Sequence, residues 1–331
     1  MSRLFMPKIA GTVVIALVLG SVIGILSGCK KEEPEKMTVA VSMQPLSAPV
    51  YVAHAKGFFE SEGLQAVLQP HTSGRDALAA LVSGRAEFAT VAETPVMFAA
   101  ARDERICIVA TIADSRRYMN IVARKDRGIA VPHDLEGKRI GVSAGTTAEY
   151  YLFIYLTFNG IAEDRVRMIG VSPERMTEAL VRGEIDAAVT WPPYMIAQQR
   201  LLGSNAVTLS NESIYKVWWN IAAGQDFAKA NPETVKALLR ALLRAERYIK
   251  DNPAEASRIV ARFIGQDPGS LGDYNFDVQL GQALILDLED QARWAIRNRL
   301  IPVEGVPNFL RLLCTEGLEA VAPGSVMVTH K

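Results

Sequence analysis

From residue 38 onward, short apolar, β-rich runs alternate with stretches whose apolar positions recur every three or four residues. Residues 38–42, 65–69, 87–91 and 106–112 have the length and composition of strands, and residues 50–60, 76–83 and 96–102 have helical spacing. Gly63 and Gly84 fall just past two of these helices, where a chain end favours positive φ. Alternation of this kind predicts an α/β domain with a largely parallel sheet.

The plan then repeats. Residues 138–142, 166–169 and 187–190 read as strands, and residues 147–159 and 174–182 as helices. The run Ala80-Leu81-Val82-Ser83-Gly84-Arg85-Ala86-Glu87 is echoed by Ala179-Leu180-Val181-Arg182-Gly183-Glu184-Ile185-Asp186, and Ser73 and Ser172 precede the two helices involved. Two lobes of similar construction are expected. The last third reads as helices over 232–250, 254–263, 276–297 and 308–316, with Asn231 as N-cap and Pro232 at the first helical position of the longest. Arg240, Arg244 and Arg247 on that helix are expected to form its solvated face.

The first 29 residues follow neither pattern. Arg3 and Lys8 precede an apolar stretch over 9–26, which ends in Leu26-Ser27-Gly28-Cys29. This is the layout of an export signal, and its end resembles a lipobox. Residues 1–28 are expected to be removed, Cys29 to carry lipid, and residues 29–36 to act as a solvated tether. The expected location is the cell envelope, on the periplasmic or extracytoplasmic face of a membrane.

Composition narrows the function. With 331 residues and 49% hydrophobic content, the chain can bury two cores of domain size. Lys+Arg and Asp+Glu both number 36, so no basic excess exists to neutralise phosphates, and a nucleic-acid partner is not expected. His54, His71, His133 and His330 are scattered, and no close cysteine spacing is present, so neither a metal nor a cofactor is expected. Beyond Cys29 the cysteines are Cys107 and Cys314; a disulfide and a buried free thiol are both open. No GxSxG, P-loop or HExxH motif is present, which argues against an enzyme.

Ligands of open α/β sheets gather at the carboxyl ends of the strands. That rule selects Gln44 and Pro45 after the first strand, Ser73 and Gly74 after the second, and Glu93 and Thr94 after the third. In the second repeat it selects Gly145, Thr146 and Thr147, then Trp191 and Tyr194. Ser73-Gly74 and Gly145-Thr146-Thr147 each open a helix, where free N–H groups and the helix dipole favour an anionic oxygen; plain N-capping by Ser73 and Thr146 is the competing explanation. Arg75 can add a charged donor to this site or face solvent, and solvent is the expectation. Trp191 and Tyr194 would wall an apolar part of the ligand. Of the adjacent Trp218 and Trp219, one faces the cleft, and Trp219 is taken to be that one. Asn120 and Asn220 fall where the chain is expected to cross between lobes. Glu93 suits a cationic or hydroxyl group.

These blocks together resemble a known family. Gln44-Pro45 through Tyr51-Val52-Ala53-His54-Ala55-Lys56-Gly57-Phe58-Phe59 is similar to the opening of periplasmic binding proteins for nitrate, sulfonate, taurine and thiamine-pyrimidine precursors. So are Ser73-Gly74 with Ala80-Leu81-Val82-Ser83-Gly84, Leu135-Glu136-Gly137-Lys138-Arg139-Ile140-Gly141-Val142, Gly145-Thr146-Thr147-Ala148-Glu149-Tyr150, and Gly183-Glu184-Ile185-Asp186-Ala187. The resemblance implies a type II periplasmic-binding fold, with lobe 1 over 37–121 and 224–331 and lobe 2 over 122–223. It implies a monomer that binds a small anion, such as a sulfonate or nitrate, and delivers it to an ABC permease and its ATPase. The same family implies two alternatives: a binder of heterocyclic pyrimidine precursors, or a pyrimidine-synthase-like enzyme, whose cysteine-rich iron motif this chain lacks.

Overall fold

The computed structural model describes residues 1–2 and 34–328, apart from Pro268 and Ser270. Nearly all of the expected export segment, Cys29 and most of the expected tether lie outside the described residues. Two five-stranded sheets carry the architecture. The first uses β1 (Glu35–Ser42), β2 (Leu64–His71), β3 (Phe88–Ala92), β4 (Ile106–Ser115) and β10 (Val217–Gly224). The second uses β5 (Asn120–Arg124), β6 (Arg139–Val142), β7 (Arg167–Gly170), β8 (Ala187–Thr190) and β9 (Ala206–Leu209).

The strand orders are β2-β1-β3-β10-β4 and β7-β6-β8-β5-β9. In each sheet four strands share one direction, and the fourth position is held by a strand antiparallel to both neighbours, β10 in the first and β5 in the second. The chain therefore crosses between sheets twice, between Ser115 and Asn120 and between Leu209 and Val217. The second crossing comes earlier than the expected lobe boundary at residue 223, because β10 finds its partners beside β3 and β4. Glu35 and Lys36 already pair with Leu64 and Gln65, so the first strand begins inside the expected tether.

The helices are α1 (Ala48–Ala55), α2 (Phe58–Ser61), α3 (Gly74–Val82) and α4 (Glu93–Ala101) after the early strands. In the second lobe they are α5 (Thr147–Phe158), α6 (Pro173–Arg182) and α7 (Tyr194–Leu202). The chain then returns through α8 (Gln225–Ala230), α9 (Pro232–Asp251), α10 (Pro253–Ile264), α11 (Gln282–Arg297) and α12 (Glu316–Val321). The repeat seen in the letters has a physical counterpart. Glu87 accepts the Thr38 N–H at 2.6 Å and donates its own N–H to the Thr38 carbonyl at 3.1 Å. Asp186 does the same to Arg139, at 2.9 and 2.8 Å. In each lobe the acidic residue after the helix pins the neighbouring parallel strand, β1 or β6.

α9 buries Val235, Leu238, Leu239, Leu242 and Ile249, an amphipathic stripe against the first lobe. Its arginines lie outside: Arg240 pairs with Glu62 at 2.6 Å, and Arg244 lies over the Phe58 ring at 4.5 Å. Three expected helices are not formed as drawn. The one expected over 50–60 is broken at Gly57, whose φ of +67° ends α1 before α2 begins. Residues 276–281 are extended rather than helical, because Asn275 and Gln279 exchange backbone hydrogen bonds with Asp114 and Thr111 and cover the open edge of β4. Residues 308–316 hold a short 3₁₀ turn, Phe309–Leu312, and only the start of α12. Between these, Cys314 donates its N–H to the Ile108 carbonyl at 3.0 Å and is disulfide-bonded to Cys107. The pairing question left by the sequence is thus answered by β4 and the C-terminal segment lying side by side.

Candidate functional site

A small cavity of about 20 Å³ lies where the carboxyl ends of both sheets meet. The first lobe supplies Gln44 after β1, Ser73, Gly74 and Arg75 at the start of α3, and Ala92 and Pro95 around the end of β3. Trp219 enters from β10, and Tyr118 from the crossing before β5. The second lobe supplies Thr146 and Thr147 at the start of α5, and Trp191 after β8.

The two helix-opening turns are built alike. Ser73 caps α3 by accepting the Asp76 N–H at 3.2 Å, and its hydroxyl donates to Asp76 Oδ2 at 2.6 Å. Thr146 caps α5 by accepting the Ala148 N–H at 3.3 Å, and its hydroxyl donates to the Ser143 carbonyl at 2.7 Å. Both hydroxyl protons are spent on the turn, so capping accounts for these two side chains although both line the cavity. Each first turn also holds a carboxylate: Asp76 in α3, and Glu149 in α5, which accepts the Gly145 N–H at 2.8 Å. Gly145 has φ +68° and lies on the outer flank, with Arg75 Cδ 3.6 Å from where its Cβ would stand.

Arg75 is exposed, as expected, and also reaches the opposite lobe. Its Nη1 donates to the Ala144 carbonyl at 2.6 Å, across the cleft. Thr72 donates to Glu174, and the Tyr194 hydroxyl donates to the Thr72 carbonyl at 3.4 Å, making two further bridges between lobes. Tyr194 therefore serves the cleft rim and stands edge-on to Trp191 at 6.0 Å rather than on the cavity wall.

Trp219 faces the cavity while its indole N–H donates to Ser47 Oγ at 3.1 Å. Trp218 points the other way, with its indole N–H donating to Asp287. Tyr118 is buried and donates its hydroxyl to the Gln44 side-chain oxygen; burial pushes the phenol well above its usual value, so it stays a donor. Sequence reasoning missed Arg75 and Tyr118 as cavity residues. The adjacency of Arg75 to Ser73-Gly74 was the available signal for the first; nothing local marked the second.

Five selected residues are structural in this arrangement. Glu93 is fully buried beneath the cleft, where Oε2 accepts the Trp218 N–H at 2.9 Å, and Oε1 accepts from Gln291 Nε2 at 3.1 Å and from the Tyr215 hydroxyl. Burial pushes its carboxyl up to about 8 against the opposing pull of the Trp218 N–H. Asn220 lies mid-strand in β10, not at a crossing, and its amide is engaged by Thr111 at 2.7 Å and by the Trp218 carbonyl at 3.0 Å. Asn120 opens β5 and donates to the Arg117 carbonyl at 3.1 Å. Pro45 and Thr94 are buried and absent from the cavity lining.

Comparison with known proteins fits this architecture. A family profile described as NMT1/THI5 like matches residues 44–256. The taurine-binding periplasmic protein of Escherichia coli strain K12 is 28% identical over 226 residues, covering 67% of this chain and 69% of that protein. A 4-amino-5-hydroxymethyl-2-methylpyrimidine phosphate synthase of Aspergillus parasiticus is 26% identical over 226 residues, covering 64% of this chain and 65% of that protein. Among solved structures, the alkanesulfonate-binding protein SsuA from Xanthomonas axonopodis pv. citri bound to MOPS superposes with a TM-score of 0.75 at 20% identity. That superposition covers 86% of this chain and 99% of SsuA. The fold is that of the two-lobed periplasmic binding proteins.

Proposed function

The chain belongs to the NMT1/THI5-like family, and from that premise we propose that it is the solute-binding lipoprotein of an ABC importer. Its cargo is a compact organic anion of the sulfonate class, taken between the lobes and handed to a membrane permease. The observation that carries this reading is the cavity itself. Residues from both lobes line it, so a ligand that touches both favours the closed arrangement through differential affinity. Its volume, about 20 Å³, is far below the roughly 300–1,000 Å³ usual for small-molecule sites, so the lobes must part to admit a ligand.

The electrostatics favour an acceptor-rich ligand. No carboxylate is among the lining residues, Arg75 is, and two helix N-termini open at the wall. The same features weigh against a cationic cargo, since Glu93, the carboxylate that would have received it, is buried out of reach. The names of the taurine- and alkanesulfonate-binding relatives point the same way. Catalysis has no support at this site: Cys107 and Cys314 are joined to each other on β4, away from the lining residues.

The test is isothermal titration of the detergent-solubilised protein with ethanesulfonate, taurine, nitrate and an aminopyrimidine. Saturable binding of a sulfonate is expected, with ligand at 100 times Kd stabilising the fold by about 2.7 kcal/mol. Binding of the pyrimidine alone would replace the sulfonate reading with the heterocycle one. Anchoring through Cys29 keeps the protein near its permease and raises its effective concentration there; Cys29→Ser should move it from the membrane to the soluble fraction.

A further inference from the structure

Two buried polar atoms in the cavity wall have no partner within the protein. They are the Thr147 hydroxyl and the Trp191 indole N–H, both on residues only 5% exposed. Partnerless side-chain atoms occur elsewhere in the interior, for instance Trp294 Nε1. Thr147 and Trp191 are distinguished by lining one cavity together, from two separate elements of the second lobe.

Several neighbouring donors are already committed. Ser73 and Thr146 give their hydroxyl protons to their own turns, Trp219 gives its N–H to Ser47, and Tyr118 gives its hydroxyl to Gln44. Arg75 Nη1 is engaged by Ala144. An indole N–H can only donate, and a threonine hydroxyl can donate to an acceptor facing it. A buried donor left unmade carries a penalty that a ligand acceptor would remove. A group with two or more oxygens on one centre, such as a sulfonate, can accept from both at once.

On the reading that this cavity is the ligand site, we propose that the Trp191 N–H and the Thr147 hydroxyl are the pair of donors that hold the ligand's oxyanion. Trp191 is then a hydrogen-bonding residue and not only an apolar wall. The uncharged tail of the ligand lies against Ala92, Pro95 and the Trp219 ring. The second lobe grips the head, the first lobe covers the tail, and closure is required for both.

The test measures ethanesulfonate and taurine affinity by titration calorimetry, and ligand-free Tm, for the full chain and for Trp191→Phe, Thr147→Val and Thr147→Ser. Trp191→Phe keeps the ring and removes the donor. Each of Trp191→Phe and Thr147→Val should weaken binding about tenfold, the usual scale for one hydrogen bond to a charged group. Thr147→Ser should bind like the parent. Ligand-free Tm should hold or rise in Trp191→Phe, because an unpartnered donor has been removed. Unchanged affinity in Trp191→Phe and Thr147→Val would overturn the proposal and leave the sulfonate reading intact. A fall in affinity matched by a fall in ligand-free Tm would assign the two residues to packing and overturn it as well. If the parent binds neither sulfonate, the functional reading itself fails and this proposal fails with it.

Discussion

Arg75, in the first turn of α3, donates from Nη1 to the Ala144 carbonyl of the opposite lobe at 2.6 Å. The side chain is also near its neighbour Asp76, with Nε 3.7 Å from Oδ1. One guanidinium thus closes the cleft and balances a carboxylate at the cavity mouth. Arg75→Ala should lower ligand affinity about fivefold to tenfold, since each lost bond of the closed state shifts the opening equilibrium. Ligand-free Tm should change little, because the arginine is half exposed and the bond spans two lobes. Small-angle scattering should show a more open ligand-free ensemble; an unchanged radius of gyration with unchanged affinity would remove Arg75 from closure.

Gly74 is required by contact rather than by conformation. A Cβ there would stand 3.1 Å from Val91 Cα and 3.3 Å from Trp219 Cη2. Either the Val91 backbone or the Trp219 ring, which lines the cavity, must give by a few tenths of an ångström. Gly74→Ala should destabilise the fold by about 1–3 kcal/mol, the usual result of overpacking, and should also weaken ligand binding. Denaturant melts and calorimetry on one preparation check both effects.

Glu93 sets a pH dependence. Burial holds its folded-state carboxyl at about 8, above the ordinary 4.5. The folded protein therefore retains a proton that the unfolded chain has released, and the contribution is complete below about 4.5 and lost as pH rises through about 8. Stability should fall from pH 5 to pH 8 with a slope no steeper than about 1.4 kcal/mol per pH unit, the limit for one proton. Glu93→Gln, which cannot ionise, should flatten that slope in urea melts at pH 5, 6.5 and 8. A slope that persists in the variant would place its origin elsewhere.

The Cys107–Cys314 bond closes a loop of 207 residues between β4 and the segment before α12. Thiol titration of the unfolded, unreduced protein should find neither cysteine free. Replacing both by Ser should lower stability by about 2–4 kcal/mol. The loss should appear first in the C-terminal segment, which hydrogen exchange can resolve.

The sequence by itself determined the local elements and their alternation. Thr38, Lys138 and Ala187 each lie within three residues of a strand start, because short runs rich in Val, Ile and Ala between turn signals suit a strand. The duplicated helix-to-strand turn ending at Glu87 and Asp186 was legible because each acid has a recurring task, pinning a neighbouring parallel strand. Ser73 and Thr146 were legible as helix openers for the same reason. What lay beyond the sequence depended on partners far along the chain. The position of β10 between β3 and β4, the extended path of 276–281 along β4, and the pairing of Cys107 with Cys314 are decided by which strand edges are left open once both sheets have formed. Glu93 looked like a cleft carboxylate because it follows a strand. It is buried because Tyr215, Trp218 and Gln291, more than a hundred residues away, close over it. Arg75 looked solvated because its local helix exposes it; only the second lobe supplies the Ala144 carbonyl that it meets. Local pattern fixes which turns face the cleft, and tertiary packing decides which of their polar groups remain free there.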